Sequence, residues 1–321
     1  LAYNNVITRS KAQALIPEDV AKNVITKVTH ESAALTMFRR VPVAQTQLRV
    51  PILSALPTAY WLTGDTGQKQ TTEIAWSNKY LNIEEVACIV PIPENVLDDT
   101  SYDVWGEVRP LVEEAIGRTV DSAVFFGTNA PSSFPTNIMS GAAAAGNTVT
   151  EGSTQANGGF QNDVDLAYAV IEADGYDVSG LVAARSTKGK FRQARSTTGQ
   201  RLATGDDTSN MVGANLDNYL GDPIMYPMRG LFPTGGSAGT NLRLFAGDWS
   251  QYVVGVRKDI TYKILDQAVI QDNSGTIIYN LAQQDMVAMR VTFRCGWQVA
   301  NIINYDNTND TTRYPVASLL Y

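Results

Sequence analysis

The sequence predicts an α+β fold, and three observations carry that reading. Residues 46–93 alternate apolar and polar side chains, one long amphipathic helix follows over about 100–127, and strands dominate from Leu242 onward.

In chain order, residues 1–45 read as an arm with short helical pieces. Ile16-Pro17-Glu18-Asp19 opens a weak helix with Val20, Val24, Ile25 and Val28 at helical spacing. The arm holds the basic residues Arg9, Lys11, Lys22, Lys27, Arg39 and Arg40 against Glu18, Asp19 and Glu31, so it carries +3 in a chain of net charge -7. That segregation fits either a solvated helix face or an arm lying against acidic neighbours or near DNA.

Leu48, Val50 and Ile52 then alternate with Gln47, Arg49 and Pro51, the pattern of a strand. Pro51 cannot donate to a ladder, which puts the strand at an edge or in a freestanding ribbon. Ile74 and Trp76, then Val86, Cys88, Val90 and Ile92, read as the return strand, with a polar tip from Gly64 to Thr72. The expectation is one long β-hairpin over 46–93. A two-stranded ribbon is marginal alone and must pack on something, which a neighbouring copy could supply.

Thr100 with Asp103 reads as a capping box. Val104, Val108, Leu111, Val112, Ile116, Val120 and Val124 recur at helical spacing up to Gly127, and Pro110 predicts a kink or break. Residues 128–160 lack pattern. A helix with Val164, Ala167, Val170 and Ile171, a strand Leu181-Val182-Ala183 and a short helix with Phe191 suggest a separate α/β layer, and 199–215 reads as a polar loop. Strands are expected at 242–246, 252–257, 260–265, 276–279 and 286–294.

The chemistry expected of an enzyme is missing. A lone His30, no phosphate-binding glycine loop and scattered Cys and His ligands leave no catalytic, cofactor or metal site to name. Asp98-Asp99 reads as helix N-terminal charge, and Asp206-Asp207 as solvated loop carboxylates with a weak cation site as the alternative. The pI near 4.8 argues against a general nucleic-acid binder, though not against a container for DNA. No apolar run is long enough for a membrane helix. Cys88 and Cys295 read as buried free thiols, with a disulfide as the alternative.

At the ribbon, the long helix and the last strands, the chain resembles the major capsid proteins of tailed bacteriophages, those of the Hong Kong 97 type. The matching pieces are PEDVAKNVITKV and SAALTMFRRVPV, the ribbon LRVPILSALPTAYWLTG, the exit VPIPENVLDDTSYDVWGEVRPLVEEAIGRTVDSAVFFG, and later YLGDPIMYP and FAGDWSQYVVGVRKDITYKI. Their order matches over nearly the whole chain.

The resemblance implies an N-terminal arm (1–45), an E-loop hairpin (46–93), a P-domain with a long spine helix (94–127 and 251–296) and an A-domain (128–250 and 297–321). It implies a non-enzymatic subunit, without cofactors, that self-assembles as pentamers and hexamers into an icosahedral head around double-stranded DNA. An encapsulin-like shell is the alternative within the same architecture, and a surface-binding protein the alternative outside it. Candidate interface residues are Arg39, Arg40, Trp61, Lys69 and Trp76. Expected partners are other copies of the chain, DNA held without sequence preference, portal and scaffolding proteins and decoration proteins, with no membrane. The expected location is the virion, assembled in the host cytoplasm. Many relatives carry a scaffolding segment before the arm that is later cleaved; here either it was removed or scaffolding comes from a separate protein.

The type phage joins an E-loop lysine to a neighbour's asparagine with help from a glutamate. Lys69 and Lys79 are available as donors and the turn at Asp272, Asn273 and Ser274 as acceptor region, but no glutamate follows Glu172. The expectation is therefore a non-covalent shell.

Overall fold

The computed structural model describes residues 32–62, 67–99, 103–194, 217–227, 230–232, 241–272 and 274–321. The expected arm helix near Pro17, His30, Thr100, Asp206-Asp207, Asn273 and the loop at Gly205 to Gly213 lie outside them.

A short helix α1 (Ala33–Met37) leads into β1 (Arg39–Pro42), and β2 (Gln47–Ala55) pairs with β3 (Ala75–Asn82) as an antiparallel ribbon. Next come β4 (Glu84–Pro93), α2 (Glu94–Asp99) and α3 (Val104–Phe126). Asp103 caps α3 by accepting from the Gly106 N–H at 3.0 Å, and Gly127 ends it in the left-handed region at φ 71°. The expected break at Pro110 is absent: α3 runs unbroken through it. Asp98 and Asp99 close α2 and do not open α3, because a separate short helix intervenes.

The alternation over 84–93 also belongs elsewhere than expected. β4 pairs antiparallel with β13 (Met286–Val299), so the ribbon ends at Asn82 and the 46–93 hairpin is shorter than predicted. Period two identifies a half-buried strand but not its partner. β13 also pairs with β10 (Tyr252–Leu265), giving a four-stranded sheet in the order β1-β10-β13-β4. The two strands expected at 252–257 and 260–265 are one strand with irregularities on either side of Lys258. On one face of this sheet Val86, Cys88, Val90, Tyr262, Met289, Val291 and Phe293 pack in one cluster with Val112 and Ile116 of α3.

The second layer holds α4 (Ile138–Ala145), β5 (Thr148–Thr150), α5 (Phe160–Ala173), β6 (Gly180–Ala183), α6 (Thr187–Gln193), β7 (Asn218–Tyr219), β8 (Asp222–Met225), β9 (Leu242–Gly247) and β14 (Val316–Leu320). Its strands form a sheet in the order β5-β14-β9-β6-β8-β7. Leu181, Leu244 and Leu319 face Val164, Ala167 and Ile171 of α5, while Val182, Phe245 and Val316 join the cluster that holds Phe125 and Ile138. Burial on both faces explains why VASLL reads as a plain apolar run without alternation, and why no strand was expected there. Each fully buried side chain of this size contributes about 2 kcal/mol from area alone. Between β10 and β13 a small hairpin, β11 (Val269–Gln271) with β12 (Ile277–Asn280), stands apart as its own two-stranded sheet. Both cysteines are free thiols; burial pushes Cys295 up to about 12.

Candidate functional site

The ribbon is fastened at its base and bare at its end. At the base, Leu81 is fully buried, and Gly296 and Gly255 let the ribbon lie directly on the four-stranded sheet. A Cβ at Gly296 would stand 1.9 Å from the Asn82 carbonyl oxygen, so only glycine fits. The Gln298 amide donates to the Tyr80 carbonyl at 2.8 Å, and Asn82 donates to the Ser133 carbonyl at 2.9 Å. Further out, Tyr305 donates its hydroxyl to the Pro57 carbonyl at 2.7 Å, bracing the ribbon from the 300–315 segment. Burial lowers the pKa of Lys79, with nearby Asp310 pulling the other way.

Around and beyond the brace the aromatic side chains lose cover. Trp61 is 98% exposed and Trp76 70%, and Tyr60, Leu62 and Ile74 are also exposed. The ribbon tightens locally where the Thr58 N–H donates to Thr72 Oγ1 at 2.9 Å and Tyr60 meets the Gln70 backbone. Lys69 is exposed on the same outer segment. Of the five expected interface residues, Trp61, Lys69 and Trp76 thus share the ribbon.

Arg39 and Arg40 sit apart, on β1, both exposed. Arg40 donates through Nε to the Leu35 carbonyl at 2.7 Å. What holds this segment is Phe38, stacked 4.9 Å from Tyr252 and 5.9 Å from Trp249. With it acts Asp121, buried in α3, which accepts from Ser32 Oγ at 2.5 Å, the Ala33 N–H at 2.9 Å and the Ala34 N–H at 3.0 Å. Burial pushes Asp121 up to about 6, while these three donors pull it down. Sequence reasoning missed Asp121. The signal was there: a carboxylate beside Val120 on the apolar stripe of the helix.

The β11–β12 hairpin presents a second apolar surface, with Val269, Ile277, Ile278 and Tyr279 exposed. In its turn Asp272 accepts from the Ser274 N–H and hydroxyl and from the Thr276 N–H, and these bonds lower its pKa. Among the described residues no group of three His, Cys, Asp or Glu side chains converges as a metal site. No described helix is long and apolar enough to cross a membrane.

A subunit that commits a braced ribbon and a separate hairpin to solvent, both carrying exposed apolar side chains, is of the class built to associate with copies of itself. The phage capsid family model matches residues 12–302. A major capsid protein of Staphylococcus phage 80alpha is 21% identical over 302 residues, 93% of this chain and 86% of its own. Among solved structures, a chain from Microbacterium phage Oxtober96 is 33% identical with a TM-score of 0.83, covering 98% of this chain and 99% of that one. One from Mycobacterium phage Bobi is 29% identical with a TM-score of 0.82, covering 98% of each. The chain belongs to the phage capsid family. Its fold is the Hong Kong 97 type, and it serves as a major capsid protein, whose copies form the shell of a tailed phage.

Proposed function

We propose that the chain assembles as pentamers and hexamers into an icosahedral head that encloses double-stranded DNA, and that its work is mechanical and not catalytic. The observation that carries this reading is the ribbon, fixed at Leu81 and Gly296 and ending in a 98% exposed Trp61. A side chain of that size, left bare beyond a braced base, is a contact waiting for a neighbour.

In this reading residues 1–45 are the arm and 46–83 the E-loop. The P-domain takes 84–127 with 252–299, and the A-domain 128–251 with 300–321. These bounds move β4 out of the E-loop and keep β13 whole, as the strand pairing favours. Trp61, Trp76 and Lys69 bridge subunits from the E-loop, and Arg39 and Arg40 do so from β1. DNA is held without sequence preference, in a shell completed by portal, scaffolding and decoration proteins and assembled in the host cytoplasm.

Shortening the ribbon between Ala55 and Ile74 tests the reading. The expected product is a folded, soluble subunit that builds no closed shells under negative stain. Particles like those of the wild type would overturn it.

A further inference from the structure

We propose that the face of the four-stranded sheet turned away from α3, where it extends past the ribbon base toward Arg290, docks a second copy of this chain, and that it receives the acidic outer stripe of that copy's α3. The inference rests on the shell reading above and names one of its contacts.

The sheet's alternation sends Met289, Val291, Phe293 and Cys295 into the core and leaves Arg290 and Arg294 on the other side. Register then sets like charges directly opposite each other: Lys263 faces Arg290, and Lys258 faces Arg294. Between the two pairs the Thr261 and Thr292 hydroxyls meet at 2.8 Å. Directly opposed like charges destabilise an antiparallel pair. In a chain of net charge -7, both pairs stand on one face. Glu85 bridges Arg294 at 2.5 Å, and among the described residues Lys258, Lys263 and Arg290 have no ion-pair partner. Ile89, across from Arg290 on β4, lies in this basic surface and is 43% exposed.

The complementary surface is on the same chain. Glu107, Leu111 and Glu114 follow at helical spacing on the outer side of α3, with Leu111 48% exposed and neither glutamate in an ion pair among the described residues. The acidic part of the stripe ends at Arg118, one turn further on. Glu107 and Glu114 stand about 10 Å apart along the helix. Arg290 and Arg294 stand about 13 Å apart along the strand. Each surface thus sets an exposed aliphatic side chain among charges, with opposite signs and similar spacing. A DNA phosphate backbone would answer the charge but leave Ile89 bare; an acidic helix carrying Leu111 answers both. Because donor and acceptor surfaces differ, the contact is heterologous and closes only in a ring or shell.

A charge swap decides the matter. The double variants K263E/R290E and E107K/E114K, and the four-fold combination, are compared with the wild type for the concentration at which shells appear by sedimentation, with far-UV circular dichroism confirming that each folds. Each double variant is expected to raise that concentration about tenfold at moderate salt, and the combination to recover most of the loss. Double variants that assemble like the wild type would overturn the inference. So would a folded combination that recovers nothing, or shells of normal yield that retain less DNA, which would assign the basic face to the genome. A wild-type chain that forms no shells would instead overturn the shell reading, and the inference with it.

Discussion

Ser32 and Asp121, 89 residues apart in sequence, meet at 2.5 Å in the buried junction between α1 and α3. Asp121 holds the first turn of α1 as an N-terminal anchor supplied from another helix, and that turn carries the arm onto the four-stranded sheet. Replacing Asp121 with Ala strands the Ser32 hydroxyl and two N–H groups, so a loss of about 2–4 kcal/mol in urea unfolding is expected.

The pH dependence of that loss follows from the same carboxyl. Its pKa is raised from 3.8 to about 6, so the folded chain binds a proton between those values that the unfolded chain does not. Its contribution is therefore greatest below the unfolded value and falls as pH rises through about 6. The stability gap between wild type and Asp121→Ala should narrow between about pH 4 and pH 7, on the order of 2 kcal/mol. A gap that widens with pH would show that the three donors outweigh burial.

At the ribbon base, Gly296→Ala should separate the ribbon from the sheet, since the new methyl would stand 1.9 Å from a backbone oxygen that no side-chain rotation can move. The expected result is faster amide exchange at Leu81 and Asn82 and a stability loss of about 2–3 kcal/mol. Unchanged exchange there would mean that the strand shifts without releasing the ribbon.

Charge reversal at Arg39 and Arg40 should hinder assembly and make it more sensitive to salt, since both side chains are exposed on β1 in an acidic chain. Sedimentation over a salt series measures this. Normal assembly of the double reversal at every salt level would remove the electrostatic role.

Mature shells boiled in detergent should give a single band at the subunit mass. The Asp272 carboxylate, in the turn expected to accept a cross-link, is already engaged by Ser274 and Thr276, and no glutamate follows Glu172. Ladders that vanish on Lys69→Ala would demonstrate a covalent lock.

Local signals carried well into structure. Asp103 and Gly127 bracket α3 because capping chemistry is written in the residues themselves. Pairing did not carry: Val86, Cys88, Val90 and Ile92 declare a strand, but its partner β13 lies about two hundred residues on, and no period encodes that choice. The exposure of the ribbon's tryptophans was legible, since a two-stranded hairpin has little core in which to bury them. The opposed pairs Lys258–Arg294 and Lys263–Arg290 were not, because register alone creates them. Asp121 was hidden for a related reason: its donors come from a turn 89 residues earlier.

The position of β14 bears on when a subunit becomes competent. This strand, at 316–320, fills the place between β5 at 148–150 and β9 at 242–247, and all five of its residues are buried. The six-stranded layer therefore cannot close until Leu320 has left the ribosome, whatever the earlier strands have done. Such long-range closure is slow. A growing chain can display its ribbon early, yet it lacks a finished platform on which a neighbour could settle. Topology thus ties completion of the second layer to the arrival of its last strand.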